Sequence, residues 1–250
     1  MDTIVAKITN DSLMDKKIYE QAGKILREGG LVAFPTETVY GLGADALDEE
    51  ASAKIYAAKG RPSDNPLIVH IADIEALYKL SCEVPDKALK LADKFWPGPL
   101  TMILKKSDIV PDSITGGLGT VAIRMPSHKV AAELIRTSGV YIAAPSANTS
   151  GKPSPTRASH VIKDLSGKID MIIEDDTVDI GVESTIIDLS EEVPTILRPG
   201  YITKEMFEEV IGGVRIDPAI TEGVKSGVVP KAPGMKYKHY APDADLKIVE

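Results

Sequence analysis

Apolar residues recur along the chain with helical and strand-like spacings in alternation. Leu13, Ile18, Ala22 and Leu26 follow one face of a helix, which we expect to end at Gly29 because glycine readily closes a helix. A second helix, from Asp48 to a glycine at position 60, follows in the same way. Further helices are predicted near residues 73–80, 86–95, 128–137, 157–165 and 203–211. Strands are predicted near residues 31–34, 67–71, 100–105, 119–125, 139–144, 170–174, 184–189, 194–198 and 213–216.

This interleaving predicts an α/β domain in which helices flank an open sheet. The closely spaced strands after residue 170 indicate that the sheet is mixed. Glycine and proline become frequent and apolar periodicity fades after residue 217, as in a linker. We therefore predict a catalytic domain over residues 1–217, a linker over 218–244 and the start of a truncated second domain over 245–250.

Charge and cysteine content narrow the class of protein. The 250 residues carry a formal net charge of −8, so an anion-binding site would need a local cluster of cations and could not depend on the overall charge. Cys82 is the only cysteine, which excludes an intramolecular disulfide and suits a reducing compartment. The chain has no apolar run of the roughly 20 residues that a membrane helix needs. We expect a cytoplasmic protein without membrane contact.

The segment FPTETVYGLG at residues 34–43 has the composition of a ligand-binding loop. It follows a predicted strand and combines hydroxyls, a carboxylate and glycines. Glycine lets the backbone approach a ligand closely, and threonine hydroxyls can donate to it or accept from it. The alternative is a polar turn that only caps the next element.

Two other segments have the composition of anion sites. Lys59 and Arg61 lie at the end of a predicted helix. The lysine ammonium is a compact point charge and the arginine guanidinium is a planar group with several donors, and the two together suit a polyphosphate. The alternative is that these cations only interact favourably with the negative, C-terminal end of the helix dipole. Residues 143–156 (AAPSANTSGKPSPT) lead into a helix that Ser154 or Thr156 could cap, and its start could bind an anion. A solvated linker is the alternative there.

Other polar residues give weaker signals. His70, inside an apolar strand, is more typical of a core histidine than of a metal ligand. The glycine-rich run at residues 116–119 precedes a strand, so it matches neither a Walker loop nor a dinucleotide fingerprint.

Taken in order, the motifs resemble the YrdC-like threonylcarbamoyl-AMP synthases. The matching blocks are FPTETVYGLG at 34–43, KGRP at 59–62, NPL at 65–67, WPGPLT at 96–101, RMP at 124–126 and SANTSG at 146–151. The block APGMKYKHYAP at 232–242 is similar to the linker of the longer, two-domain form of that family.

The resemblance implies a fold and a reaction. The fold is an open twisted mixed sheet around a large basic cavity. The reaction joins ATP, bicarbonate and L-threonine into threonylcarbamoyl-AMP and releases pyrophosphate, which makes the enzyme a nucleotidyltransferase. Mg²⁺ would come with ATP and be held by the phosphates, not by protein side chains. The product would pass to a tRNA threonylcarbamoyl-transferase complex that forms N6-threonylcarbamoyladenosine in tRNAs reading ANN codons.

The resemblance also implies roles for individual residues. The catalytic set matches Lys59, Arg61, Ser146 and Asn148. The ATP side matches Arg61, Asn65, Thr120, Ser146, Ser154, Arg198 and Tyr237. The threonine side matches Thr38, His70, Arg124, the backbone of Ala144, and Ser184.

Two alternatives remain open at this point. An RNA-binding module would fit a basic cavity and allows a weak tRNA contact, but the net charge disfavours it. Carbamoyl transfer to another acceptor would require additional domains that these residues do not contain.

Overall fold

The computed structural model describes residues 2–9, 11–175 and 178–222, apart from the side chains of residues 221 and 222. The predicted start of a second domain at 245–250, nearly all of the predicted linker, and Tyr237 within it lie outside these residues. The predicted division of the chain into domains therefore stays a prediction.

The described residues contain helices and strands in alternation. The helices are α1 (Ser12–Arg27), α2 (Glu49–Lys59), α3 (Ala76–Leu80), α4 (Asp86–Phe95), α5 (Asp112–Thr115), α6 (Lys129–Ser138), α7 (Ala158–Leu165), α8 (Lys204–Ile211) and α9 (Ala219–Glu222). The strands are β1 (Ile4–Lys7), β2 (Val32–Phe34), β3 (Gly41–Asp45), β4 (Ile68–His70), β5 (Leu100–Lys105), β6 (Thr120–Arg124), β7 (Ile142–Ala143), β8 (Met171–Glu174), β9 (Thr185–Asp188), β10 (Thr195–Arg198) and β11 (Arg215–Ile216). Among the described helices, none has the length and apolar content needed to cross a membrane.

Within the described residues, the strands form one sheet in the order β1-β8-β2-β3-β7-β4-β6-β5-β9-β10-β11. The sheet contains both parallel pairs, such as β4 with β6, and antiparallel pairs, such as β5 with β6. The predicted α/β class with a mixed sheet is confirmed.

The helices pack on both faces of this sheet. Successive residues of a strand point to opposite faces, and the buried side chains of β2 and β8 accordingly divide between two core clusters. One cluster lies under α1 and α6, and the other lies under α2, α4 and α7. A smaller third cluster contains only strand residues, from β4, β5, β6, β9 and β10.

The second helix begins and ends as the sequence indicates. The Asp48 side chain accepts hydrogen bonds from the backbone N–H groups of Glu50 and Ala51. Gly60 closes the helix in the left-handed conformation, with φ 61°. This end of α2 places Lys59 and Arg61 beside the centre of the sheet.

The segment at residues 34–43 differs from its prediction as a loop. Only residues 35–40 form a loop, because Phe34 belongs to β2 and Gly41 and Gly43 belong to β3, which pairs with β2 as a hairpin. A Cβ on Gly43 would lie 2.6 Å from Ile142 Cγ2 and 2.8 Å from Phe34 Cε1. Close packing therefore accounts for glycine at position 43.

The predicted capping of the helix after residue 156 is wrong. Arg157 occupies the N-cap position of α7, and its side chain makes no capping hydrogen bond. The Ser154 hydroxyl instead donates to the Glu183 carboxylate, which draws it towards the sheet. The anion-binding capacity of this segment therefore cannot rest on a capped helix start.

Candidate active site

A row of polar side chains crosses the sheet where β4, β6 and β5 end or begin. His70 pairs with Arg124, and Arg124 pairs with Thr101 on its other side. Because paired residues project to the same face, these three side chains lie next to one another on one side of the sheet. All three are buried.

Arg124 has a buried carboxylate beside it. Its Nη2 atom lies 2.8 Å from Oε1 of Glu37, and each side chain is only 5% exposed. The contact lacks the alignment of a hydrogen bond: Nε and Nη2 of Arg124 and both carboxylate oxygens of Glu37 have no hydrogen-bond partner among the described residues. The two charges therefore attract each other and still leave donors and acceptors unused.

Glu37 is held in place by the loop that joins β2 to β3. The Thr36 hydroxyl donates to the Val39 carbonyl at 2.6 Å and accepts from the N–H groups of Thr38 and Val39 at 3.2 Å. The Glu37 carbonyl accepts from the Ile180 N–H at 2.9 Å. The Thr36 hydroxyl and the bond from Ile180 thus fix the backbone of this turn.

His70 is kept neutral by its surroundings. Burial, and then the positive charge of Arg124, lower the pKa of His70 from its ordinary value of 6.5 to about 3. Nδ1 lies 3.1 Å from the Ile68 carbonyl, and Phe34 meets the ring edge to face. We infer a neutral ring with its proton on Nδ1, the tautomer that can donate to that carbonyl.

Lys59 fixes the loop that forms the opposite wall of the site. Its ammonium donates to the carbonyl of Ser146, and to the carbonyl of Asn148 at 2.6 Å. The Asn148 side chain closes the same loop, since it donates to the carbonyls of Thr149 and Lys152 at 2.8 and 2.9 Å. Burial, and then the positive charge of Arg61, lower the pKa of Lys59 well below its ordinary value.

Arg61 and Arg198 complete the cationic lining. Arg61 donates from Nη2 to the carbonyls of Asn65 and Pro66, at 3.3 and 3.1 Å. Arg198 donates to the carbonyl and the hydroxyl of Ser184, each at 3.0 Å. These bonds fix both guanidinium groups against backbone, which limits the conformational cost of binding an anion.

These elements enclose a pocket with about 610 Å³ of empty space, part of it open to solvent. The pocket is lined by Thr36, Thr38, Val39, Tyr40, Gly41, Arg61, Ile68, His70, Arg124, Ala144, Pro145, Ser146, Asn148, Lys152, Ser154, Glu183, Ser184 and Arg198.

Most of the residues assigned by resemblance meet in this pocket. Those that line it are Thr38, Arg61, His70, Arg124, Ala144, Ser146, Asn148, Ser154, Ser184 and Arg198. Three others, Lys59, Asn65 and Thr120, are absent from the lining. Of these, Lys59 lies directly behind the wall, through its bonds to Ser146 and Asn148.

Several residues of the site were not singled out from the sequence. Thr36, Glu37 and Thr101 belong to the motif blocks at 34–43 and 96–101, so their positions in those motifs were the available signal, and Lys152 directly follows the block at 146–151. Glu183 had no such signal apart from its place next to Ser184.

The charge of the lining suits anionic ligands that carry phosphate or carboxylate groups. Arg61, Arg124, Lys152 and Arg198 contribute positive charge, against the carboxylate of Glu183 in the lining and those of Glu37 and Asp164, which pair with Arg124 and Lys152. Planar guanidinium groups match carboxylate and phosphate oxygens two at a time. Among the described residues, no group of three or more His, Cys, Asp or Glu residues lies together as metal ligands would.

Two family models match this chain. The family model for Sua5, YciO and YrdC proteins (Telomere recombination) matches residues 24–200. The model for the threonylcarbamoyl-AMP synthase C-terminal domain matches residues 202–250.

Individual relatives are similar over nearly the whole chain. The threonylcarbamoyl-AMP synthase of Pyrococcus abyssi is 57% identical over 248 residues, which are 99% of this chain and 72% of the relative. That of Bacillus subtilis is 56% identical over 244 residues, 97% of this chain and 70% of the relative. The crystal structure of P. abyssi Sua5 complexed with L-threonine superposes with a TM-score of 0.91 and 55% identity, and covers 98% of this chain and 70% of that one. This chain therefore belongs to the Sua5/YciO/YrdC family, among relatives named threonylcarbamoyl-AMP synthases.

Proposed function

We propose that this chain joins ATP, bicarbonate and L-threonine into threonylcarbamoyl-AMP, with release of pyrophosphate. The observation that carries the proposal is that Arg124, Arg61 and Arg198 line one pocket together with Ser146 and Asn148. The similarity to relatives that bear this activity in their names supports the same reaction.

The chemistry needs positioned charges and no protein nucleophile. The amine of L-threonine adds to carbon dioxide derived from bicarbonate and loses a proton, which gives a carbamate. A carbamate oxygen then attacks the α-phosphorus of ATP, and the bond to pyrophosphate breaks. Attacking and leaving oxygens must lie in line, so binding geometry and neutralisation of phosphate charge supply the catalysis.

We assign the threonine end of the pocket to the polar row on the sheet. Arg124 would receive the substrate carboxylate, and Ser184, Thr38 and His70 would surround the rest of the amino acid. A neutral His70 would bring no extra positive charge to the substrate amine. A site that bonds the substrate hydroxyl would reject valine, since a buried polar group would then lose its partner.

We assign the ATP end to the opposite wall. Arg61 and Arg198 would bind phosphate oxygens, with Ser146, Asn148 and Ser154 as further polar contacts. Mg²⁺ held by the phosphate oxygens would neutralise part of their charge. The lining offers few carboxylates that could bind the ion directly, which fits a metal held by the phosphates. We expect the reaction in the cytoplasm, with the labile product passed to a complex that modifies tRNA.

Product formation tests the proposal directly. The chain is incubated with α-labelled ATP, Mg²⁺, bicarbonate and L-threonine, and both pyrophosphate and threonylcarbamoyl-AMP are followed. Product must require threonine and bicarbonate, must not form with valine, and must fall at least about 100-fold in Arg61→Ala. Arg136→Ala, an exposed arginine of α6, is the matched control and should retain full activity. ATP hydrolysis without the adenylate product would refute the proposal.

A further inference from the structure

The ion pair between Arg124 and Glu37 is built differently from an ordinary structural salt bridge. Buried arginine–carboxylate pairs gain most when two parallel hydrogen bonds join them. Here the pair makes one 2.8 Å contact without hydrogen-bond alignment. A pair that served stability alone would be expected to use these donors and acceptors.

The two partners also differ in their relation to the pocket. Arg124 lines it, whereas Glu37 does not, and neither Glu37 carboxylate oxygen is exposed. Glu37 therefore contacts the guanidinium from behind. Its backbone is held by the turn around Thr36 and by the bond to Ile180, so the carboxylate is a fixed point of negative charge.

We propose that Glu37 is a positioning residue for L-threonine, which holds the Nη2 side of the buried Arg124 guanidinium so that the part of the guanidinium that faces the pocket receives the substrate carboxylate. The inference rests on the proposed function, because it assigns the threonine end of the pocket to Arg124. Glu37 does not touch the substrate, and its effect passes entirely through the arginine.

Glu37→Gln removes the charge and keeps the shape, so it is the first test. We expect the KM for L-threonine to rise about 10- to 100-fold, the range expected when a binding group is misplaced by about 1 Å. The KM for ATP should stay within about twofold of the unaltered chain, because the phosphate wall does not contact Glu37. Glu83→Gln is the matched control, since Glu83 pairs with Lys105 at 2.8 Å on the exposed surface. It should leave both constants unchanged.

A substrate without the carboxylate charge separates positioning from general damage. L-Threoninamide offers Arg124 no anion, so its use should be equally poor before and after the substitution. The preference for L-threonine over the amide should therefore shrink in Glu37→Gln. Equal increases in the KM values for ATP, L-threonine and the amide would show a structural role only and would overturn the proposal, as would an unchanged KM for L-threonine.

Two further measurements keep the proposal testable. If Glu37→Gln does not fold, Glu37→Asp retains the charge but withdraws it by one methylene, and it should raise the KM for L-threonine several-fold without affecting that for ATP. An unchanged KM in folded Glu37→Asp would then reject the inference. If the unaltered chain makes no product, the proposed function fails, and calorimetry with L-threonine alone still decides: weaker binding to Glu37→Gln supports the positioning role, and equal binding rejects it.

Discussion

Burial lowers the pKa of two ionisable side chains of the site, His70 and Lys59. They differ in their partners: His70 lies against one carbonyl of its own strand, whereas the Lys59 Nζ donates to two backbone carbonyl oxygens of a loop. Sequence placed His70 within a strand, but the carbonyl partners of Lys59 come from a loop far along the chain. Local pattern cannot predict such a contact, and the same holds for Glu37 and Arg124.

His70 should make the stability of the protein depend on pH. The pKa of His70 in the folded protein, about 3, lies below the ordinary value of 6.5. At a pH between 3 and 6.5, His70 therefore binds a proton in the unfolded chain but not in the folded one. The free energy of unfolding should therefore fall as pH drops from 6.5 towards 3. In His70→Asn, which can still donate to the Ile68 carbonyl, that dependence should weaken. Urea denaturation at several pH values measures it.

His160→Asn, at an exposed position of α7, is the control for this experiment. Its pH profile should follow that of the unaltered protein. An identical slope in His70→Asn and the unaltered protein would contradict the assignment.

Lys59→Met should weaken both the fold and the site. Losing the ammonium leaves the carbonyls of Ser146 and Asn148 without their donor, at a cost of roughly 1–3 kcal/mol in the free energy of unfolding. The loosened loop should also weaken ATP binding by about tenfold or more. Lys54→Met on the same helix is the matched control, since Lys54 bonds the Gly29 carbonyl at 2.6 Å, away from the pocket. Calorimetry with ATP and thermal unfolding distinguish the two variants.

At the scale of elements, the hairpin of β2 and β3 determines the shape of the pocket. The periodic helices and the long apolar strands were predictable because burial imposes a regular spacing. β3 was not, since its two glycines disfavour a strand on propensity and are there for packing. The order of strands in the sheet also depends on long-range pairing, which spacing along the sequence does not encode.

Gly43→Ala should destabilise this hairpin. The new methyl would meet Ile142 and Phe34 at distances that force a shift, and overpacking of this kind costs about 1–3 kcal/mol. Gly119→Ala is the control, because a Cβ there meets nothing within 4 Å. Chemical denaturation should show a lower midpoint for the first variant only, and equal midpoints would show that the hairpin relaxes freely.

At the scale of the whole molecule, the chain carries a net charge of −8, although its pocket is rich in arginine. A small anion can bind those local cations, whereas a long phosphate backbone gains affinity only from a surplus of positive charge that this chain lacks overall. We therefore expect tRNA to bind weakly and without saturation at physiological salt in a filter assay. Tight binding that weakens steeply with added salt would contradict this and favour an RNA-binding role.

The pocket draws its walls from segments that run from Thr36 to Arg198. No contiguous stretch of the chain can therefore recognise the ligand, and recognition exists only once distant strands have paired. A bound substrate acts as a non-covalent crosslink across the middle of the sheet. Its binding free energy adds to the cost of unfolding the whole assembly, so saturation should slow proteolysis even at loops remote from the ligand.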